Sequence, residues 1–209
     1  MKKILGILRG FPGLGRVVSG VSILETLRDS YGYDVKIISY LQGNKYLYSR
    51  GYNNLNEVTP MDYCSIGLLP TNKMGVYIHN CIREFTPDLI VVDGEPLMIK
   101  SIKISHPSIK VVALLNPADV VNSNNYKEAM DFFNEFYSLS DLAIVHGLRR
   151  IDKDSRYNEF LSISTIIRPE IIGIKNVPTN NIYCVLGGGT VNVEQQFVDS
   201  TITIGQLCQ

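Results

Sequence analysis

Short apolar runs rich in β-branched residues recur along the chain at residues 4–8, 35–40, 89–92, 109–115, 142–145 and 182–186. Continuous rather than alternating apolar character fits strands buried on both faces. Between them lie segments with helical spacing, at about 16–30, 44–50, 72–85, 95–105 and 124–138. Strands that alternate with helices specify an α/β fold with a doubly wound, Rossmann-like parallel sheet. About six strands are expected, with the run at 4–8 central. The first helix carries Val17, Val21, Leu24 and Leu27 on one stripe, with Gly32 just past its end, as a core-facing helix should. The stripe Tyr126, Met130, Phe133 and Phe136 or Tyr137 reads as core in the same way.

The first strand leads into LRGFPGLGRVVSG, residues 8–20, which holds Gly10, Gly13, Gly15 and Gly20. Gly13-x-Gly15 lacks the third glycine of a dinucleotide fingerprint. Glycines let backbone approach a ligand closely, and a helix that starts after Gly15 turns free N–H groups toward it. A tight strand-to-helix turn without a ligand fits the same residues.

Twenty basic residues face 20 acidic ones, which argues against a general nucleic-acid surface. Cys64, Cys81, Cys184 and Cys208 lack CxxC spacing, and no signal peptide precedes the first strand, so a reduced cytoplasmic protein is expected. His79, His106 and His146 are dispersed and read as surface or packing residues, with no metal site among them. No apolar run reaches the roughly 18 residues of a membrane span; peripheral attachment stays open.

Two stretches break the alternation. Residues 51–71 read as a long irregular connection, and 173–181 as a polar linker. After the linker comes IYCVLGGG, a new strand with a glycine turn, followed by 20 residues. The expected organisation is therefore one α/β domain over 1–172, a linker over 173–181, and the beginning of a second, incomplete domain over 182–209.

The segments ILGILRGFPGLGRVVSGVSILETLR, YDVKIISYLQGNKYLYSRGY, PDLIVVDGEPLMIKSIKISHPSIKVVAL, TIIRPEI and YCVLGGG follow one another in an order that resembles the amino-terminal half of a GT-B glycosyltransferase, of the type of MurG and glycosyltransferase family 28. The resemblance runs over about residues 1–189. It implies an acceptor-binding amino-terminal domain and a donor-binding carboxy-terminal domain, with catalysis in the cleft between. Gly13 and Gly15 would line that cleft, and Gly187, Gly188 and Gly189 would be a fragment of the donor site. Relatives commonly place a histidine directly after the second glycine of the first loop; this chain has Arg16. A guanidinium does not act as a base, but it binds phosphate or carboxylate in bidentate fashion. A solvated residue of the first helical turn is the other reading of Arg16.

Asp93 and Glu95 follow the carboxyl end of a strand, where open α/β sheets place ligands. Inverting sugar transfer needs a base for the acceptor hydroxyl, and either carboxylate suits the task; capping of the next helix is the alternative for both. Asn116 and Asp119 occupy the same edge and are candidate substrate-binding residues. The implied function is the acceptor-binding part of a transferase that uses a nucleotide-sugar donor, held by a further domain or a partner subunit, and an unassigned acceptor. No cofactor is called for. Contact between copies through the terminal segment is one outcome expected for the run at 182–186. Two alternatives stand beside this one: a non-catalytic Rossmann-like subunit that docks a donor-binding partner, and a nucleotide-binding enzyme unrelated to sugar transfer.

Overall fold

A computed structural model describes residues 1–11, 13–53, 55, 72–122 and 124–175, with the backbone of 183–184 and 202–203. Six strands, β1 (Lys3–Leu8), β2 (Asp34–Ile38), β3 (Leu89–Asp93), β4 (Lys110–Leu115), β5 (Leu142–His146) and β6 (Phe160–Ile163), form one sheet in the order β2-β1-β3-β4-β5-β6. All five pairings are parallel. The expected doubly wound α/β sheet is thus present. β1 lies inside it, second from one edge rather than at the centre.

Helices α1 (Gly15–Tyr31), α2 (Gln42–Ser49), α3 (Asn72–Phe85), α4 (Pro96–Ser105), α5 (Pro117–Val120) and α6 (Lys127–Tyr137) flank the strands. The pleat sends alternate residues to opposite faces. Leu5 and Ile7 of β1 join Ile90 and Val92 of β3 in a core with Ile78 and Ile82 of α3 and Ile99 and Ile102 of α4. Ile4, Leu8 and Val91 point the other way, toward Val17, Val21 and Leu24 of α1. The stripe read on the first helix therefore faces the core, and Gly32 caps that helix at φ 67°, donating its N–H toward Arg28 and Leu27. On α6 the stripe is shorter than expected: Phe136 and Tyr137 are buried, whereas Tyr126 precedes the helix and is exposed.

The sixth strand differs from the expectation. It is Phe160–Ile163, not the run at 182–186. β6 lies at the sheet's edge, where Leu161 and Ile163 stay exposed, so its segment lacks the continuous apolar character of a doubly covered strand. Tyr183–Cys184 pairs in parallel with Ile202–Thr203 as a separate two-stranded sheet. By compactness the chain divides into 1–169 and 170–209. Most of the irregular stretch 51–71 lies outside the described residues, as do 176–182 and 185–201.

Candidate functional site

Parallel strands end together, so β1, β3, β4 and β5 deliver the residues that follow them to one carboxyl edge. The glycine-rich loop begins there. A Cβ on Gly10 would lie 1.9 Å from the carbonyl oxygen of Tyr40 and 2.8 Å from Ser39 Oγ. Gly10 is thus required by the close passage of two backbones, sealed by the Gly43 N–H donating to its carbonyl at 3.2 Å. Gly13 and Gly15 have open space around them. They line a cavity of about 280 Å³ together with Arg9, Phe11, Arg16 and Asn116.

Arg16, in the first turn of α1, is not a solvated surface residue. Its Nη1 donates to Asp93 Oδ1 at 2.7 Å and its Nη2 to Asp119 Oδ1 at 2.6 Å. Asp119 Oδ2 in turn accepts from the Asn116 N–H at 2.8 Å, which ties the turn after β4 to the same guanidinium. Burial works against the charge on Arg16, but Asp93 and Asp119 outweigh it and hold its pKa well above the ordinary value.

Asp93 and Glu95 are each 1% exposed. Neither caps α4 with its side chain. Glu95 Oε1 accepts from the Tyr40 hydroxyl. Burial raises Asp93 to about 6, against the opposing pull of Arg16, and raises Glu95 to about 7 against its bond from Tyr40. Asp93 Oδ2 and Glu95 Oε2 have no hydrogen-bond partner among the described residues. Two buried acidic groups whose pKa values are pushed up toward neutrality are an arrangement common at functional sites.

The structure brings together six of the residues singled out in the sequence. Arg16 joins Asp93 and Asp119 directly, Asn116 through Asp119, and Gly13 and Gly15 through the shared cavity. Glu95, as buried as Asp93, lies under the electrostatic influence of Arg9, Arg16 and Asp93. Gly187, Gly188 and Gly189 lie outside the described residues.

Several residues of this edge were not legible as such. Gly94, at φ 84°, separates the two carboxylates, and a Cβ there would lie 2.5 Å from Arg16 Cδ and 2.7 Å from Arg9 Cβ. It makes room for both arginine stems; its position between Asp93 and Glu95 was the available signal. Arg9 donates from Nε to the Phe11 carbonyl at 2.7 Å, which orders the loop. Tyr137 is buried, and burial together with the Asp119 charge pushes its hydroxyl above the ordinary range. His146, read as a packing or surface histidine, ends β5 on this edge. His79 and His106 meet elsewhere, between α3 and the end of α4, with their ring nitrogens 3.1 Å apart.

No metal-binding group of three or more His, Cys, Asp or Glu exists among the described residues. Among the same residues, no helix is long and apolar enough to cross a membrane. No family model and no curated protein matches the sequence. Among solved structures, the chain is similar to UGT2 of Phytolacca americana complexed with UDP-2fluoro-glucose and pterostilbene, at a TM-score of 0.61 and 10% identity, over 91% of this chain and 61% of that one. A second structure, CetZ from Methanosaeta thermophila strain DSM 6194, aligns at a TM-score of 0.38 and 15% identity, over 74% of this chain and 49% of that one. The chain thus spans 61% of the length of the plant enzyme it matches, and the likeness is one of fold: the Rossmann-like sheet of a GT-B glycosyltransferase.

Proposed function

We propose that this chain is the acceptor-side half of a GT-B glycosyltransferase, which works with a donor-binding domain to transfer a sugar from a nucleotide-sugar to an acceptor hydroxyl. The observation that carries the reading is the cavity at the carboxyl edge, where Arg16 is held between Asp93 and Asp119 beside Arg9 and two open glycines. The neighbour of like fold was captured with UDP-2fluoro-glucose. Within that fold, the order of the sequence segments favours the MurG and family 28 type.

In this reading the cavity faces a phosphate. Arg9 supplies positive charge, Arg16, whose own charge Asp93 and Asp119 offset, supplies its remaining N–H donors, the free N–H groups of the first turn of α1 supply more, and the glycines admit the phosphate oxygens to the backbone. Asp93 and Asp119 keep the guanidinium from swinging away, so that little ordering cost falls on binding. Negative charge that grows on the departing phosphate during transfer is then met by donors already in place. Asp93 serves here as the anchor of Arg16, and Glu95 as a proton-holding group bonded to Tyr40. Residues 182–209, with Gly187 to Gly189, are assigned in this reading to the start of the donor side.

The test is a titration of the full chain with UDP and with UDP-glucose. Binding is expected to be weaker than micromolar by calorimetry, because most of the donor pocket belongs to the second domain. Amide shifts on adding UDP are expected at Gly13, Gly15 and Arg16. Micromolar affinity for UDP-glucose in this chain alone would replace the reading with that of a self-sufficient nucleotide-binding enzyme. Shifts absent from this loop would remove the phosphate site.

A further inference from the structure

Arg16 is a shared cation. Its Nη1 and Nη2 bonds go to Asp93 and Asp119, so one positive charge stands between two carboxylates. A diphosphate laid in the cavity would meet a guanidinium whose charge is already outweighed, and Arg9 is the one other cation among the described lining residues. Repulsion between phosphates and buried carboxylates is only weakly screened by salt. The edge with both carboxylates ionised therefore has too little positive charge for the ligand class that its donors suit.

The two carboxylates differ in how they can relieve this. Asp119 has both oxygens engaged, Oδ1 by Arg16 and Oδ2 by the Asn116 N–H. Asp93 has Oδ1 on Arg16 and leaves Oδ2 buried, with no hydrogen-bond partner among the described residues. Asp93 does not line the cavity; it acts on a ligand only through Arg16. A proton on Oδ2 leaves Oδ1 able to go on accepting from Nη1. The guanidinium then stays anchored while half of the negative charge held against it is removed. The charged groups that act on Asp93 are Arg16 from α1, Arg9 from the loop after β1 and Asp119 from α5. Glu95 across the Gly94 turn and Tyr137 at the end of α6 feel its charge, and His146 at the end of β5 is coupled to Arg16 and Asp119. Burial already lifts Asp93 to about 6, and a neighbouring anion lifts a carboxyl further.

We propose that the arginine-lined cavity binds its diphosphate together with one proton, which settles on Asp93 Oδ2 and releases the charge of Arg16 to the ligand. The inference rests on the phosphate site of the transferase reading, and it makes Asp93 a positioning residue that does not touch the ligand. Binding and protonation are then linked, each strengthening the other by the same factor. Between the pKa of Asp93 in the free chain and its higher value in the complex, affinity falls about tenfold per pH unit. Departure of the diphosphate returns the proton, so release is favoured as pH rises.

The test uses the full chain and UDP-glucose, whose phosphates carry no group that titrates near neutrality, unlike the terminal phosphate of UDP. Titrations at pH 6, 7 and 8, followed by the amide shifts of Gly13, Gly15 and Arg16, should show an affinity about tenfold or more higher at pH 6 than at pH 8. Carbon-13 spectra of the side-chain carboxyls at pH 7 should show Asp93 pass from mostly carboxylate to mostly carboxylic acid as UDP-glucose is added. Asp93→Asn, whose amide imitates the protonated acid, should bind at pH 8 about as well as the parent at pH 6 and lose the dependence on pH. Three results would each overturn the inference and leave the phosphate site standing. They are affinities at pH 6 and pH 8 within about twofold of each other, an Asp93 carboxyl unmoved by UDP-glucose that shifts the loop amides, and a pH dependence retained by Asp93→Asn. The last would assign the proton to Glu95 or His146. Should Asp93→Asn fail to fold, the carboxyl signal of the parent decides alone. Amide shifts absent at every pH remove the phosphate site, and the inference with it.

Discussion

Asp141 stands at the amino edge of the sheet, just before β5, and Asp93 at the carboxyl edge, as the last residue of β3. Asp141 accepts from the Val111 N–H at 2.8 Å, Lys103 Nζ at 2.9 Å and Lys110 Nζ at 3.0 Å. Burial works against its charge, but those donors prevail and hold its pKa at about 2. Asp93 has one guanidinium on Oδ1, nothing among the described residues on Oδ2, and a pKa of about 6. The amino edge repeats its pattern at Asp88, whose Oδ2 accepts from the Lys3 N–H at 2.8 Å. Carboxylates there cap strand N–H groups and complete the fold. At the opposite edge, buried carboxylates are left partly unsatisfied behind the arginine that lines a cavity. Unspent bonding capacity collects where a parallel sheet places its ligands.

The sharpest way to break this contrast is to remove Arg16. Arg16→Met leaves Asp93 buried without its cation, which costs about 3–5 kcal/mol when one partner of a buried pair is deleted. The loss should be largest at pH 8. It should shrink toward pH 4, where Asp93 takes up a proton in the folded chain. Urea unfolding at several pH values measures it. An equal loss at all pH values would show that Arg16 contributes by packing alone.

Gly94→Ala probes the room made for the two arginines. The new Cβ would meet Arg16 Cδ at 2.5 Å at a backbone φ of 84°. Left-handed strain and overpacking together should cost about 2–4 kcal/mol. Because the clash displaces Arg16 and Arg9, weakened UDP-induced shifts at Gly13 and Gly15 should accompany the loss of stability.

How much of this was legible follows from where each residue sits. The interior strands announce themselves because both faces are covered, so 4–8 and 89–92 are unbroken apolar runs. β6 is covered on fewer sides and its sequence, FLSI, hides among polar neighbours. The glycine loop was visible as a whole, but which glycine answers to packing was not. Gly10 meets Tyr40 and Ser39, which follow a strand more than 25 residues away in sequence, and no local spacing reports that. Asp93 and Asp119 were named from their positions after strand ends, and Arg16 from the glycine loop, where the resemblance expects a histidine; their mutual ion pairs depend on the parallel register. His146 was legible by the same rule that selected Asp93, since it closes the run LAIVH. It was passed over because three scattered histidines argue against a metal site, which is a different question from whether one of them ends a strand at the carboxyl edge.

Glu95→Gln tests the carboxyl edge more gently. Glu95 titrates at about 7 in the folded chain, above its ordinary 4.5. A raised carboxyl favours the protonated folded state, so its contribution is complete below the ordinary pKa and is lost as pH rises through 7. The loss for one such group is on the order of 3 kcal/mol. Glutamine cannot ionise, and its carbonyl still accepts from Tyr40. The variant should therefore match the parent at pH 5 and exceed it in stability at pH 8. A parallel pair of pH curves would mean that Glu95 is not a proton-holding group.

The smallest effect is expected at the amino edge, with the opposite dependence on pH. Asp141 is depressed to about 2 from an ordinary 3.8. Its stabilisation is present above the ordinary pKa and is lost as pH falls through 2. Asp141→Asn keeps one carbonyl oxygen for the Val111 N–H and gives up the charge that Lys103 and Lys110 complement. Lys110 is 70% exposed, so its share is screened by solvent, and the whole substitution should cost about 1–2 kcal/mol at pH 7. The parent and the variant should converge near pH 2, where the aspartate is itself becoming protonated. Thermal denaturation across pH 2 to 7 would show the two curves parting as pH rises, whereas those of Glu95→Gln and its parent part above pH 5 with the variant on top. If Asp141→Asn instead gained stability at high pH, the carboxylates of the two edges would be alike, and the division of the sheet into a structural edge and a functional one would fail.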